Sequence, residues 1–315
     1  MPDAPHPFTL RQLQYVTAVA DTGSFRRAAE RCAVSQPALS AQIAAVEQGV
    51  GVRLFERDHR RVMPTAAGQD LLVRARRLLV AADDLTEAAR RLSDPLAGTV
   101  RIGVIPTVSP YLLPEVVPAL RRRNPRLTVR WIEDKTDVLA ARLQEGALDG
   151  ALLALEPRLA DFESQIIGED PFLLATPRTH PLGARRSPAH LQDLKGAHVL
   201  LLDDGHCLRD QALEVCAKGE AEELGFRATS LATLVQMVAS GAGVTLLPRL
   251  AAPAETRRSN LALRSFAAPS PHRTLALIWR RNTAVQPALR AIAATVRDAY
   301  RDAEPRFARS VKPAA

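Results

Sequence analysis

Ser24-Phe25-Arg26-Arg27-Ala28-Ala29-Glu30-Arg31-Cys32-Ala33-Val34-Ser35-Gln36-Pro37-Ala38-Leu39-Ser40 reads as a short helix, a three-residue break and the start of a second helix. Gly23 stops whatever precedes it, and Ser24 is a fresh N-cap for residues 25–31. The break is Cys32-Ala33-Val34. Ser35 then caps the next helix, with Pro37 in its first turn, where a missing N–H costs little. From there Leu39, Ile43 and Val46 lie on one apolar face running toward Gly49. Upstream, Leu13, Val16, Val19 and Ala20 repeat at helical spacing. Helices joined by so tight a break form a helix-turn-helix.

In such a motif the second helix enters the major groove of DNA and its N-terminal residues reach base edges. Here those are Ser35, Gln36, Ala38, Ser40 and Gln42, with Pro37 among them. Glutamine pairs bidentately with adenine, serine suits either base, and a small alanine meets a thymine methyl. Downstream, residues 53–57 and 62–64 read as two short strands joined by the basic turn Asp58-His59-Arg60-Arg61, the pattern of a wing. Arg57, Arg60 and Arg61 are the candidate phosphate contacts. Residues 1–65 thus read as a DNA-binding domain.

Thr65 caps a long helix over residues 66–92, about 40 Å in length at about 1.5 Å per residue. Leu71, Leu72, Ala75, Leu78, Leu79, Ala82 and Leu85 give it a continuous apolar face. That face needs a cover, and a second copy of the same helix is the simplest one, so dimerisation is expected. The pattern breaks over residues 93–98, and strands then alternate with helices. Strand candidates are 99–105, 127–133, 150–155, 172–176, 198–202, 244–247 and 275–279, which makes residues 98–315 an α/β domain of one doubly wound sheet or two small linked ones.

Bulk properties agree. The chain has 315 residues, about two domains' worth, and 47% hydrophobic with 24% charged residues excludes wholesale disorder. Lys plus Arg number 42 against 34 Asp plus Glu, a net charge of +8, which makes nucleic acid a plausible partner. Only four of those cations are lysines, so the excess also reads as simple arginine bias. No basic segment followed by an apolar run opens the chain, so export is not expected. The uncharged stretch 228–248 is interrupted by Thr229, Ser230, Thr233, Gln236, Ser240, Gly241 and Gly243. It reads as a buried helix, a glycine turn and a buried strand rather than a membrane span. Residues after about 305 read as a frayed tail.

Three cysteines, Cys32, Cys207 and Cys216, are too few for a disulfide framework, and a cytoplasmic chain keeps them reduced at rest. Cys32 is assigned to the helix-turn-helix core. Cys207 and Cys216 are nine apart; on one helix they would face opposite ways about 13.5 Å apart, whereas a disulfide needs Cα atoms within about 7 Å. They could bond only if the helix unwound, so oxidation would be coupled to refolding. Cys207, at an expected helix start with His206 beside it and Arg209 and Arg273 as candidate cations, is the better attacker. Peroxide would give a sulfenic acid, on which Cys216, in the apolar run around Ala212, Leu213 and Val215, would condense. Three readings stand open on these residues: ordinary core cysteines, a redox pair, or a zinc site built from His198, His206, Cys207 and Cys216.

The strings Phe25-Arg26-Arg27-Ala28-Ala29, Val34-Ser35-Gln36-Pro37-Ala38-Leu39-Ser40, Leu54-Phe55-Glu56-Arg57 and Thr65-Ala66-Ala67-Gly68 resemble, in order and spacing, the N-terminal domain of LysR-type transcriptional regulators. Gly241-Ala242-Gly243-Val244-Thr245-Leu246-Leu247-Pro248 resembles that family's effector domain. The resemblance implies a winged helix-turn-helix, a long linker helix pairing with another subunit, and an effector domain of two α/β subdomains like periplasmic binding proteins. Those would be subdomain I at about 98–170 and 275–305, and subdomain II at about 171–274.

Gly205-His206-Cys207-Leu208-Arg209-Asp210-Gln211 followed by Cys216 is similar to the sensor segment of the hydrogen-peroxide-responsive members of that family. Ile105-Pro106-Thr107-Val108, residues 110–114, Thr136, residues 226–231 and Arg273-Thr274 point the same way. This resemblance implies a peroxide pocket of Thr107, Thr136, His206, Cys207, Asp210 and Arg273, with Cys216 resolving. The threonine hydroxyls would orient peroxide, Arg273 would favour the thiolate, and His206 or Asp210 would assist proton movement. It further implies a cytoplasmic homo-oligomer, dimer or dimer of dimers, with promoter DNA and RNA polymerase as partners. Glutaredoxin or thioredoxin would be the reductant, with no cofactor, no metal and no membrane. The chain departs from the resemblance before Leu10 and over residues 217–225, whose charges Lys218, Glu220, Glu222 and Glu223 read as a solvated loop. Two rival functions remain: a LysR-type regulator that binds a small organic effector between its subdomains, and a thiol peroxidase.

Overall fold

The computed structural model describes residues 6–57, 62–91, 94, 96–185, 187–257 and 259–309. The chain divides near Arg90 into two compact units. In the first, α1 (Leu10–Thr22) opens on a capping box: the Gln12 N–H donates to Thr9 Oγ1, and the Thr9 N–H donates to Gln12 Oε1 at 2.8 Å. It ends at Gly23, whose φ of 60° is the left-handed cap that glycine adopts freely. Then follow α2 (Phe25–Arg31), capped by Ser24, and α3 (Gln36–Val50), capped by Ser35. Val16, Val19, Ala28, Leu39, Ile43 and Leu54 close the core between them.

The hairpin β1 (Phe55–Arg57) and β2 (Val62–Pro64) pairs antiparallel, Phe55 opposite Pro64. The turn between them, with Asp58, His59, Arg60 and Arg61, lies outside the described residues. Helix α4 (Ala66–Arg91) starts under Thr65, whose hydroxyl accepts the Gly68 N–H at 2.9 Å and donates to the Arg53 carbonyl at 2.8 Å. Gly68 is dictated by contact: a Cβ there would sit 2.1 Å from the Leu54 carbonyl oxygen. Along α4, Leu72 and Ala75 are buried while Val73, Leu78 and Leu85 stand exposed.

The second unit carries β3 (Gly98–Val104), α5 (Ser109–Arg123), β4 (Leu127–Glu133), α6 (Thr136–Gln144), β5 (Gly150–Ala154) and the long β6 (Glu163–Pro177). After it come β7 (His198–Leu202), α7 (Cys207–Lys218), β8 (Glu222–Ala228), α8 (Leu231–Ala239) and β9 (Thr245–Pro248). The chain finishes with α9 (Ala252–Glu255), β10 (Leu261–Ser265), β11 (His272–Trp279) and α10 (Gln286–Arg309). Strand β3 lies between β4 and β5, parallel to both, and β11 joins β5 antiparallel. The first half of β6 pairs with β11, and its second half pairs with β9 and β10. One strand therefore serves two hydrophobic cores. Ile167 packs in the core with Val100, Leu152 and Leu277, and Phe172 in the core with Leu200, Leu234 and Leu246.

Two strands lie outside the strand candidates of the sequence. Residues 222–228 form β8, parallel to β7, and residues 261–265 form β10. The uncharged stretch 228–248 holds α8 and β9, and no described helix is long and apolar enough to cross a membrane.

Candidate functional site

Cys207 is the first residue of α7, with His206 as N-cap. The expected reactive thiolate meets a correction: the thiol is buried, and burial pushes it up from its ordinary range. Arg273 and the Thr136 hydroxyl pull it down, Glu156 adds to the rise, and the Ala154 backbone helps the anion. Burial prevails. The thiol is thus stored in its protonated form, with the groups that favour a thiolate already around it.

Those groups come from separate elements. Arg273, on β11, is wholly buried and pairs with the equally buried Asp170 of β6 at 2.9 Å. Its Nη1 donates to Thr107 Oγ1 at 2.8 Å and its Nη2 to the Thr107 carbonyl at 3.1 Å. Asp170 also accepts the Leu250 N–H at 2.9 Å. Thr107 follows β3, and Thr136 opens α6 with its Oγ1 buried, set toward the Cys207 thiol and bonded to no other group among the described residues. A neutral thiol makes little demand on that hydroxyl, whereas a thiolate or a bound peroxide would engage it. Glu156, just past β5, accepts from Arg158 Nε on Oε2 at 2.6 Å and leaves Oε1 buried and without a hydrogen bond among the described residues. No local motif marks Asp170, Glu156 or the Ala154 amide, because only tertiary folding brings Glu156 and Ala154 to the sulfur and Asp170 to Arg273.

His206 is buried with Nε2 unpaired. Burial lowers its pKa, Lys135 lowers it further, and Asp203 and the Thr229 backbone oppose this, so the ring is neutral at pH 7. Asp210 does not join the buried group: its side chain is exposed one turn farther along α7. Arg209, the second expected cation for Cys207, instead pairs with Glu223 and Asp204. Cys216 lies on the same α7, buried, its thiol pushed up to about 11 chiefly by burial and then by Glu223. The two sulfurs belong to different cores, Cys207 with Ile105 and Leu152, Cys216 with Leu200 and Leu234. His198 is exposed beside Glu222, and among the described residues no three His, Cys, Asp or Glu side chains gather within metal-binding reach.

In the first unit, α3 presents Ser35, Gln36, Pro37, Ala38 and Gln42 exposed and Ser40 half-buried, opposite its buried Leu39 and Ile43. The Gln42 amide oxygen accepts from Gln12 Nε2 at 2.9 Å, which fixes its orientation from α1. Arg57 ends β1, and Arg60 and Arg61 lie outside the described residues.

A winged helix-turn-helix carrying a long helix, followed by a two-core α/β domain with a buried cysteine, defines a bacterial transcription regulator of the LysR architecture. Residues 10–69 match the family model for bacterial regulatory helix-turn-helix proteins of the lysR family, and residues 93–301 match the LysR substrate binding domain. The chain belongs to the LysR family, whose members are regulators and not enzymes, which sets aside the thiol-peroxidase reading. It is 46% identical over 300 residues to a probable hydrogen peroxide-inducible genes activator of Mycobacterium avium, covering 94% of this chain and 96% of that one. Among solved structures, a full-length OxyR variant from Pseudomonas aeruginosa matches with TM-score 0.76 and 34% identity, over 92% of this chain and 95% of the other. A hydrogen-peroxide-bound OxyR variant of Corynebacterium glutamicum matches with TM-score 0.67 and 33% identity, covering 98% of each chain.

Proposed function

We propose that this regulator senses hydrogen peroxide through Cys207 and converts a Cys207–Cys216 disulfide into a changed grip on promoter DNA at peroxide-defence genes. The observation that carries the reading is the placement of both thiols on one helix but in separate cores, with Arg273 and Thr136 around the first and Thr107 bonded to that Arg273. Cys207 loses its proton and its sulfur attacks one peroxide oxygen; the O–O bond breaks, and the departing hydroxide takes up a proton as water. The resulting sulfenic acid is attacked by Cys216, a second water leaves, and the disulfide forms. Two thiols and one peroxide thus give one disulfide and two waters.

In this scheme Thr107 and Thr136 orient the peroxide, Arg273 stabilises the thiolate, and His206 assists proton movement. Asp210 could enter only once the start of α7 opens. Residues 1–65 read DNA through Ser35, Gln36, Pro37, Ala38, Ser40 and Gln42, with Arg57, Arg60 and Arg61 on phosphates. Residues 66–92 pair with a second copy, and 98–315 form the sensor, with subdomains at about 98–170 with 275–305 and at about 171–274. The protein works in the cytoplasm as a dimer or dimer of dimers. Unwinding of α7 alters packing between sensor domains, the spacing of DNA-binding pairs and the contact with RNA polymerase. Glutaredoxin or thioredoxin returns it to the dithiol.

The test is promoter footprinting with and without stoichiometric peroxide. Wild type changes its protected region, whereas Cys207→Ser gives one footprint in both conditions. A peroxide response retained in Cys207→Ser overturns the proposal.

A further inference from the structure

Arg209 is nearly fully buried although it is a cation two residues past Cys207. Its Nε lies 2.9 Å from Asp204 Oδ1, in the loop before α7. Its Nη1 donates to Glu223 Oε1 on β8 at 2.9 Å and its Nη2 to Oε2 at 3.4 Å, and Nη1 also reaches the Leu202 carbonyl that ends β7 at 3.3 Å. Arg227 closes the group, its Nη1 2.7 Å from Asp204 Oδ2 and its Nε 3.8 Å from Glu223 Oε1. Two guanidiniums thus face two carboxylates. One side chain joins the first turn of α7 to the preceding loop, to β7 and to β8. Glu223 lies in the segment whose charges the sequence suggested were merely solvated.

Arg209 sits between the two cysteines. A disulfide must bring Cα atoms from about 13.5 Å on an intact helix to within about 7 Å, so the helical segment between the two cysteines, which carries Arg209, must lose its geometry. Bidentate hydrogen bonds fail steeply with displacement, and a guanidinium this buried is costly to leave unpaired. The dithiol fold pairs both guanidiniums with both carboxylates.

We infer that the Arg209–Glu223–Asp204 cluster is a latch on the reduced fold, and that Glu223 is the positioning residue that sets how readily the disulfide closes. This rests on the peroxide-sensing reading. Glu223 also raises the Cys216 thiol, so a second variant, Asp204→Asn, cuts the latch without changing Glu223 itself.

The experiment equilibrates full-length protein with glutathione buffers, in which the two thiols become a disulfide while glutathione disulfide is reduced to two thiols. Glu223→Gln and Asp204→Asn each shift the equilibrium about tenfold toward the disulfide, a potential about 30 mV more negative, and Glu223→Asp stays near wild type. In a Cys216→Ser background, Glu223→Gln leaves the rate of sulfenic acid formation unchanged. Amide hydrogen exchange of residues 208–212 in the reduced protein becomes faster in both latch variants. An unchanged equilibrium in both variants, or unchanged exchange in both, overturns the latch. A wild-type protein that closes no disulfide overturns the sensing reading instead, and the exchange measurement still decides whether the cluster holds the first turn of α7.

Discussion

At the scale of single residues, the resting Cys207 is a protonated thiol inside a shell that favours its anion. Only the thiolate attacks peroxide. Its pKa is raised, so neutral pH lies below it, and each unit of rising pH increases the thiolate fraction about tenfold. Stopped-flow oxidation at fixed peroxide should therefore climb about tenfold per unit between pH 6 and 8; a plateau below pH 7 contradicts this. Arg273 has a structural burden as well, because among the described residues it is the cation paired with the buried Asp170. Arg273→Met should cost about 3–5 kcal/mol in urea unfolding by leaving that carboxylate unpaired, and Asp170→Asn in the same chain should recover part of it. A loss below about 1 kcal/mol would show that Asp170 finds another partner. Thr107, Thr136, Arg273 and both cysteines were legible through string resemblance, whereas Asp170 and Glu156 carry no local signature. Asp210 stands exposed on the closed α7, because adjacency to a motif does not say which side of a helix faces the core.

At the scale of elements, patterns with strong local chemistry were readable and those without it were not. Capping serines, Gly23 and the apolar stripe of α3 announce the helix-turn-helix. Strand β8 is one member of a two-stranded pair in which Leu224, Phe226 and Ala228 alternate inward, but its acidic start and central Gly225 make so short a run read as a charged loop. Gly68 shows tertiary contact overriding propensity. In a free helix Gly→Ala gains about 1 kcal/mol, yet here the new Cβ meets the Leu54 carbonyl. Gly68→Ala should instead lose about 1–3 kcal/mol, as overpacked sites do, and lower the thermal midpoint; a raised midpoint would mean the wing moves aside freely.

At the scale of the whole molecule, the regulatory unit is two cores that share β6, and α7 places one thiol in each. Oxidation that joins those thiols must disturb at least one core, which is how a two-electron event on one side chain becomes a change of shape. The DNA-reading unit makes a separate prediction. Gln36→Ala should weaken operator binding by about 1–3 kcal/mol, read by titration at fixed salt, and leave binding to scrambled DNA and its salt slope unchanged. Equal losses on both DNAs would show that Gln36 reads no base. The net charge of +8 leaves the sequence-independent part to phosphate contacts, which weaken as salt rises.

The most direct measurement of the central claim is mass-spectrometric thiol mapping of the full-length protein before and after brief stoichiometric peroxide, with Cys207→Ser and Cys216→Ser alongside. The account predicts a Cys207–Cys216 disulfide that forms only with peroxide, and a trappable sulfenic acid on Cys207 in Cys216→Ser. Free thiols at both positions, under peroxide that oxidises a control sensor, would contradict it.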